Sequence, residues 1–440
     1  MTKKGMPKGC LRPLLVTIIF LTSASFAIQY FFVLRGTYDG KEASYKSLAL
    51  VNGRVWNGVE PVIDGGKVII EGSEITCVGR DCETPQGAKV VDVNGMAIMP
   101  ALFDMSAYFF LNTQENEGKN PLSQLLTYLR LRPEVRKNFH RNGITNFRST
   151  GDPMQNILEY NLKMLKGEIM GPRVYAAGPI FTAVGGHPVS TWFAGDEGNA
   201  DAFTYEETQV NVAKTHAVEV YETGMEGIKI VYDDMGGTVP KLDSQIVKGL
   251  IEQAGELNMW VAVQTGTNQD IREVVRWGAE MIEYGARDVI DSTTLKLLVD
   301  EKVTVIPSVF VSEVTPKDLS PDWFARPAMR ENIQRLEAAG VWIATGASTG
   351  PGMSFGASLL AEMDQLMRMG MDAENVLNAA TRIPAQTLQL DDRYGTLEPG
   401  KTADVIIVDG SPWVDVKALE NIHTVIQDGK LVVVAREIQD

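Results

Sequence analysis

Residues 227–264 read GIKIVYDDMGGTVPKLDSQIVKGLIEQAGELNMWVAVQ. The two ends, Gly227–Val231 and Trp260–Gln264, are short apolar runs of the length a buried strand takes. Between them, Ser244–Leu257 carries its apolar residues at helical spacing. Strand, helix and strand in that order describe a parallel pair with a crossover helix. The same alternation extends in both directions. Strand-like runs stand at Ala97–Phe103, Thr145–Ser149, Val174–Ala177, Met281–Tyr284, Thr304–Pro307 and Trp342–Thr345, and helical periodicity marks Leu122–His140 and Tyr205–Glu222. Eight β-then-α units over about 290 residues predict an α/β chain folded as a (β/α)8 TIM barrel. In that architecture the chemistry sits at the C-terminal ends of the strands.

The two chain ends have a different texture. Leu48–Val51, Val68–Glu71, Ile75–Val78 and Lys89–Asp92 are short β segments with Gly and Asp-Gly turns, and Asp404–Val408, Thr424–Gln427 and Lys430–Val434 repeat that style. They suggest a small β-sandwich built from both ends of the domain, residues 47–100 plus 395–440, around a barrel of residues 101–394. Residues 35–46 read as a polar linker. Residues 1–13 form a basic segment, with Lys3, Lys4, Lys8 and Arg12. The apolar run 14–34 that follows has the length of a transmembrane anchor or a signal peptide. Either reading puts the globular domain on the outer, periplasmic or extracellular side, and an uncleaved anchor would tether it to a membrane. In that compartment Cys77 and Cys82 could form a local disulfide.

The net charge of −15 argues against a nucleic-acid partner. With four histidines and three cysteines in 440 residues, imidazole and thiolate ligands are scarce.

Several segments, in order, resemble the amidohydrolase superfamily in its imidazolonepropionase-like and prolidase-like branch. They are 77–102 (CVGRDCETPQGAKVVDVNGMAIMPAL), 171–187 (GPRVYAAGPIFTAVGGH), 227–230 (GIKI), 279–285 (AEMIEYG) and 378–409 (NAATRIPAQTLQLDDRYGTLEPGKTADVIIVD). The resemblance covers about residues 47 to 437. It implies a barrel flanked by a β-sandwich, hydrolysis of non-peptide carbon–nitrogen bonds in cyclic amides or dipeptide-like substrates, and zinc or another divalent metal as cofactor. Such a metal makes hydroxide from water near neutral pH.

The family's ligand positions read unusually in this chain. The first strand normally ends Asp-x-His-x-His; here Asp104 is kept, and Ser106 and Tyr108 stand for the histidines. The fifth strand runs into Gln264 instead of a histidine. The sixth has Tyr284 where Ile-Glu-His-Gly places its histidine. The eighth has Ser348 where an aspartate acts as ligand and base. Lys229 is retained, and in two-metal relatives that lysine is carbamylated and bridges the metals. Hydroxyl and amide groups do not match the set that zinc or manganese selects, so the expectation is a dismantled site with no bound metal.

Three readings follow. The first is a degenerate, non-catalytic barrel that binds a small molecule, self-associates, or pairs with an active relative. The second is a metal-independent hydrolase using Ser348, Lys229 and His187, which follows Gly185-Gly186 in the loop after the third strand. Gly346–Gly350 does fit the Gly-x-Ser-x-Gly expression, but a serine nucleophile needs a base within reach. The third is a metal held by acids such as Asp104, Asp233 and Asp234. Residues 395–402 fit a P-loop expression, but they follow a helix and precede a strand, the reverse of a true P-loop.

Overall fold

The computed structural model describes residues 43–111, 135–314, 327–349 and 354–434. The barrel strands, called strands 1 to 8 below, are Leu102–Ala107, Ile144–Ser149, Arg173–Ala176 continued by Ile180–Ala183, Gly227–Tyr232, Trp260–Thr265, Met281–Glu283, Thr304–Ile306 and Trp342–Ile343. All neighbouring pairs within the two barrel sheets are parallel. Strands 1 to 3 form one ladder, and the second half of strand 3 opens another that runs through strands 4 to 8. Glu226 N donates to Ala176 O at 3.1 Å and joins the two. On the other side, Met105 N donates to Thr345 O at 2.9 Å, and Ala107 bridges Thr349. The ring of eight is thereby complete.

Side-chain alternation sorts the strand residues. Met105, Ala262, Met281, Ile306 and Ala344 fill the interior. Ile228, Ile230, Val261, Val263, Ile282, Val305 and Ile343 face outward into the core shared with the helices. The helices begin where local chemistry starts them. Asp243 caps Ser244–Glu256 by accepting from Gln245 N, and Thr267 with Asp270 forms a reciprocal capping box on Asn268–Trp277.

Two expected elements are divided differently. The run Ala97–Phe103 splits at Ala101. Ala97–Pro100 pairs with Val405–Val408, and strand 1 starts at Leu102. Ala101 N donates to Asp404 O, which turns the chain from one sheet into the other. The stretch Tyr205–Glu222 is a four-residue strand, Thr204–Glu207, followed by a helix, Val210–Glu222. Its first residues pair with Ile180–Ala183 instead of continuing the helix.

Both chain ends meet in one nine-stranded sheet. Its order is Ala43–Ser44, Lys430–Val434, Ile422–Gln427, Val405–Val408, Ala97–Pro100, Ser47–Val55, Ile63–Glu71 and Glu74–Gly79, with Lys89–Asp92 beside Ser47–Val55. Leu48, Val68, Ile70, Ile98, Val405, Ile407 and Ile426 make its core. Cys77 and Cys82 are joined as a disulfide, with their Cα atoms 5.9 Å apart. Arg173, at the start of strand 3, ties the barrel to this sheet through Asp404 at 2.6 Å and through Asp428.

The membrane reading is corrected. No helix among the described residues is long and apolar enough to cross a membrane. The segment 14–34 lies outside the described residues. A hydropathy window registers composition, whereas spanning needs a continuous helix of about 20 residues. Attachment through an N-terminal helix and the outer-side location inferred from it are withdrawn.

Candidate functional site

The C-terminal strand ends bring together residues from seven strands and their following turns. Lys229 on strand 4, Glu283 on strand 6 and Arg148 on strand 2 are all completely buried. Glu283 is the shared partner: one carboxylate oxygen pairs with Arg148 and the other with Lys229 Nζ at 2.6 Å. Strands 2 and 6 lie on opposite sides of an eight-stranded ring, so the Arg148–Glu283 pair crosses the interior. Arg148 is further fixed by donating from Nε to Met105 O at 2.8 Å, and its guanidinium stands 5.3 Å from the Trp260 ring centre. Trp260 in turn lies against Gly227, where an added Cβ would fall 2.0 Å from the indole.

Lys229 also donates to Tyr108 Oη at 2.8 Å. The ring centres of Tyr108 and Tyr284 lie 5.2 and 5.8 Å from its ammonium. Tyr284 Oη bonds Ser348 Oγ. Tyr284, Ser308 and Ser348 close strands 6, 7 and 8 with φ of +61°, +47° and +46°. Three left-handed non-glycine residues at successive strand ends turn the chain sharply out of the barrel, a conformation that packing must hold.

Burial sets the electrostatics. It acts to raise the Glu283 pKa, but the charges of Lys229 and Arg148 outweigh it and hold the carboxyl below its ordinary value. Burial drives both tyrosines above the ordinary phenol range, with Glu283 adding to the effect on Tyr108 and Tyr108 to that on Tyr284. Both hydroxyls therefore stay protonated. Asp104 is pushed by burial up to about 7, against hydrogen bonds from the amides of Ser106 and Ala347 and the charge of Arg148. Asp152 is likewise pushed up to about 7 by burial, although Ser149 Oγ and the Phe109 and Phe110 amides bond to it.

The remaining sequence-predicted residues are arranged separately. Gln264 Nε2 faces Met235 Sδ at 3.6 Å. Four buried polar atoms at this face, Asp104 Oδ2, Ser106 Oγ, Arg148 Nη1 and Gln264 Oε1, meet no hydrogen-bond partner among the described residues. His187 Nδ1 is engaged by Thr191 Oγ1 at 2.7 Å, while Ser348 is engaged by Tyr284, so the serine's contact is a phenol and not an imidazole. Asp233 pairs with Arg287 at 2.7 Å, and Asp234 accepts from Gly236 N. Among the described residues, no three His, Cys, Asp or Glu side chains gather to hold a metal. Sequence reading did not single out Arg148 or Glu283. Each is a charge inside a fully buried strand, and a buried charge requires a partner.

A parallel eight-stranded ring wrapped in helices, with its polar residues gathered at the C-terminal strand ends, defines the TIM-barrel class. The Amidohydrolase family model matches residues 135–432, and the chain belongs to that family. It is 39% identical over 90 residues to the imidazolonepropionase of Rhizorhabdus wittichii, covering 20% of this chain and 22% of that one. It is 33% identical over 106 residues to the imidazolonepropionase of Brevibacillus brevis, covering 23% and 25%. These matches thus span at most a quarter of either curated relative. Among solved structures, a Xaa-Pro dipeptidase with bound methionine superposes with a TM-score of 0.75 at 22% identity, over 88% of this chain and 99% of that one. Molinate hydrolase superposes with a TM-score of 0.75 at 17% identity, over 88% and 95%.

Proposed function

We propose that this protein descends from hydrolases of carbon–nitrogen bonds, akin to imidazolonepropionase and Xaa-Pro dipeptidase, and that its own barrel no longer performs metal-dependent hydrolysis. One observation carries this reading: the Lys229 side chain, which would bridge two metals, is fully engaged by its neighbours, paired with Glu283 at 2.6 Å and bonded to Tyr108 at 2.8 Å. The other groups at the family's ligand positions, Ser106, Tyr108, Gln264, Tyr284 and Ser348, are hydroxyls and an amide. The donor set of zinc or manganese is imidazole and carboxylate, so these residues do not fit such a centre. The protonated state of both tyrosines supports the same reading, because burial disfavours their conversion to phenolate ligands. What the residues do is engage one another. Two cations share one carboxylate, and two phenols cover the pair.

The test is hydrolysis with zinc or manganese supplied. Xaa-Pro dipeptides and imidazolone propionate are offered to the wild type and to Lys229→Met. The expected outcome is no metal-stimulated turnover in either protein. Turnover that appears with zinc in the wild type and vanishes in Lys229→Met would refute the reading.

A further inference from the structure

The loop between Ile180–Ala183 and the helix Glu197–Phe203 carries Trp192. Its indole meets the Tyr108 ring edge-on, with centres 5.2 Å apart and planes at 85°. It meets the His187 ring in the same manner at 5.1 Å and 75°. It also packs against the cluster of Met235, Tyr284 and Val311. One side chain thus touches Tyr108 and packs against the cluster that holds Tyr284. Edge-to-face contacts of this kind stabilise by their geometry as well as by area.

The loop is pinned on each side of the indole. Before it, Thr182 Oγ1 donates to His187 O at 2.6 Å, and His187 bonds Thr191. After it, Phe193 is buried and packs on Phe203 at 5.5 Å. Between and beyond these anchors, Ser190 and residues 194–196 are exposed, and Trp192 itself is only half-buried. Tyr108, Tyr284 and Lys229 beneath it are all but sealed. Among the described residues, a partly exposed ring on a loop is therefore the outer layer over a fully buried charged cluster. The tyrosines follow directly on strands 1 and 6, whereas the indole stands on a loop and can leave by a change in loop conformation.

We propose that Trp192 is a built-in plug, an intramolecular contact that closes the barrel mouth over Tyr108 and Tyr284 and controls solvent access to Lys229. The plug is independent of metal content, so a zinc-bearing preparation would overturn the proposed function without touching this inference. The test measures modification of Lys229 by a small amine-acylating reagent in the full chain, read by peptide mass spectrometry, in the wild type, Trp192→Ala, Trp192→Leu and Trp192→Phe. Lys241, whose side chain is 30% exposed and paired with Asp270, is the internal control. The expected result is Lys229 modification at least about tenfold above wild type in Trp192→Ala, with Lys241 unchanged. Trp192→Leu should fall between, and Trp192→Phe should stay near wild type. Indole at millimolar concentration should restore protection in Trp192→Ala. If Trp192→Ala does not fold, Trp192→Leu against Trp192→Phe decides. Equal Lys229 modification across the folded variants, or no protection by indole where modification has risen, would overturn the proposal.

Discussion

Glu283 divides its carboxylate between Arg148 and Lys229, and all three side chains are shut away from water. Removing one partner of a buried ionic group leaves the others uncompensated. Glu283→Gln keeps the volume and deletes the charge, leaving two buried cations together, and should cost about 3–5 kcal/mol of stability by denaturant unfolding. A loss under about 1 kcal/mol, the range of exposed pairs, would contradict this account of the cluster. Asp104 makes a second test, through pH. Its pKa rises on folding from 3.8 to about 7, so between those values the folded chain holds more protons than the unfolded one. Stability therefore falls as pH rises through that window and levels off above it. Asp152 contributes in the same direction. Glu283, held below its ordinary value, acts oppositely: its contribution is present above the unfolded pKa and fades as pH drops through the folded one. Asp104→Asn retains an oxygen for the two amides. The stability of the wild type relative to Asp104→Asn should decline from about pH 4 to about pH 7, and a pH-independent difference would contradict the assignment. Lys229, Tyr108, Tyr284 and Ser348 were legible as strand-end residues through the resemblance to the amidohydrolase motifs. Arg148 and Glu283 were not. Their partnership crosses 135 residues of chain and leaves no periodic trace.

At the scale of elements, barrel strands 2 and 4 to 7 lie where the alternation of apolar runs put them. The departures have local causes. Pro100 lacks an N–H for a continued ladder, so the long apolar run is shared between the end sheet and strand 1. Thr204–Glu207 is spoken for by its neighbour Ile180–Ala183, a tertiary pairing that helical periodicity cannot foresee. Strand 4 supplies the element-scale prediction. Gly227 begins it, with the Trp260 indole pressed where a Cβ would stand. Gly227→Ala must shift that ring, which also flanks Arg148, and should cost about 1–3 kcal/mol in thermal or urea unfolding. An unchanged midpoint would mean that the indole is free to move and does not brace the guanidinium.

Across the whole molecule, two bodies of structure share one chain. The nine-stranded sheet needs both ends, and composition alone announced that, because the same turn-rich texture appears at 47–92 and again after 404. Arg173 connects it to the barrel. Arg173→Met would leave Asp404, nearly buried, without its cation, and should lower stability by about 1.5–3 kcal/mol. An effect below about 0.5 kcal/mol would place the join elsewhere. The N-terminal apolar run 14–34 lies outside the described residues, among which no helix is long and apolar enough to cross a membrane.

The proposal that the Lys229–Glu283–Arg148 cluster takes the place of a metal centre is open to direct test. The most direct measurement is the metal content of protein purified in zinc- and manganese-supplemented medium, by elemental mass spectrometry. The expected content is far less than one equivalent of any transition metal per chain, unchanged by chelator. One or two equivalents of zinc or manganese, removed together with the Lys229 side chain in Lys229→Met, would contradict it.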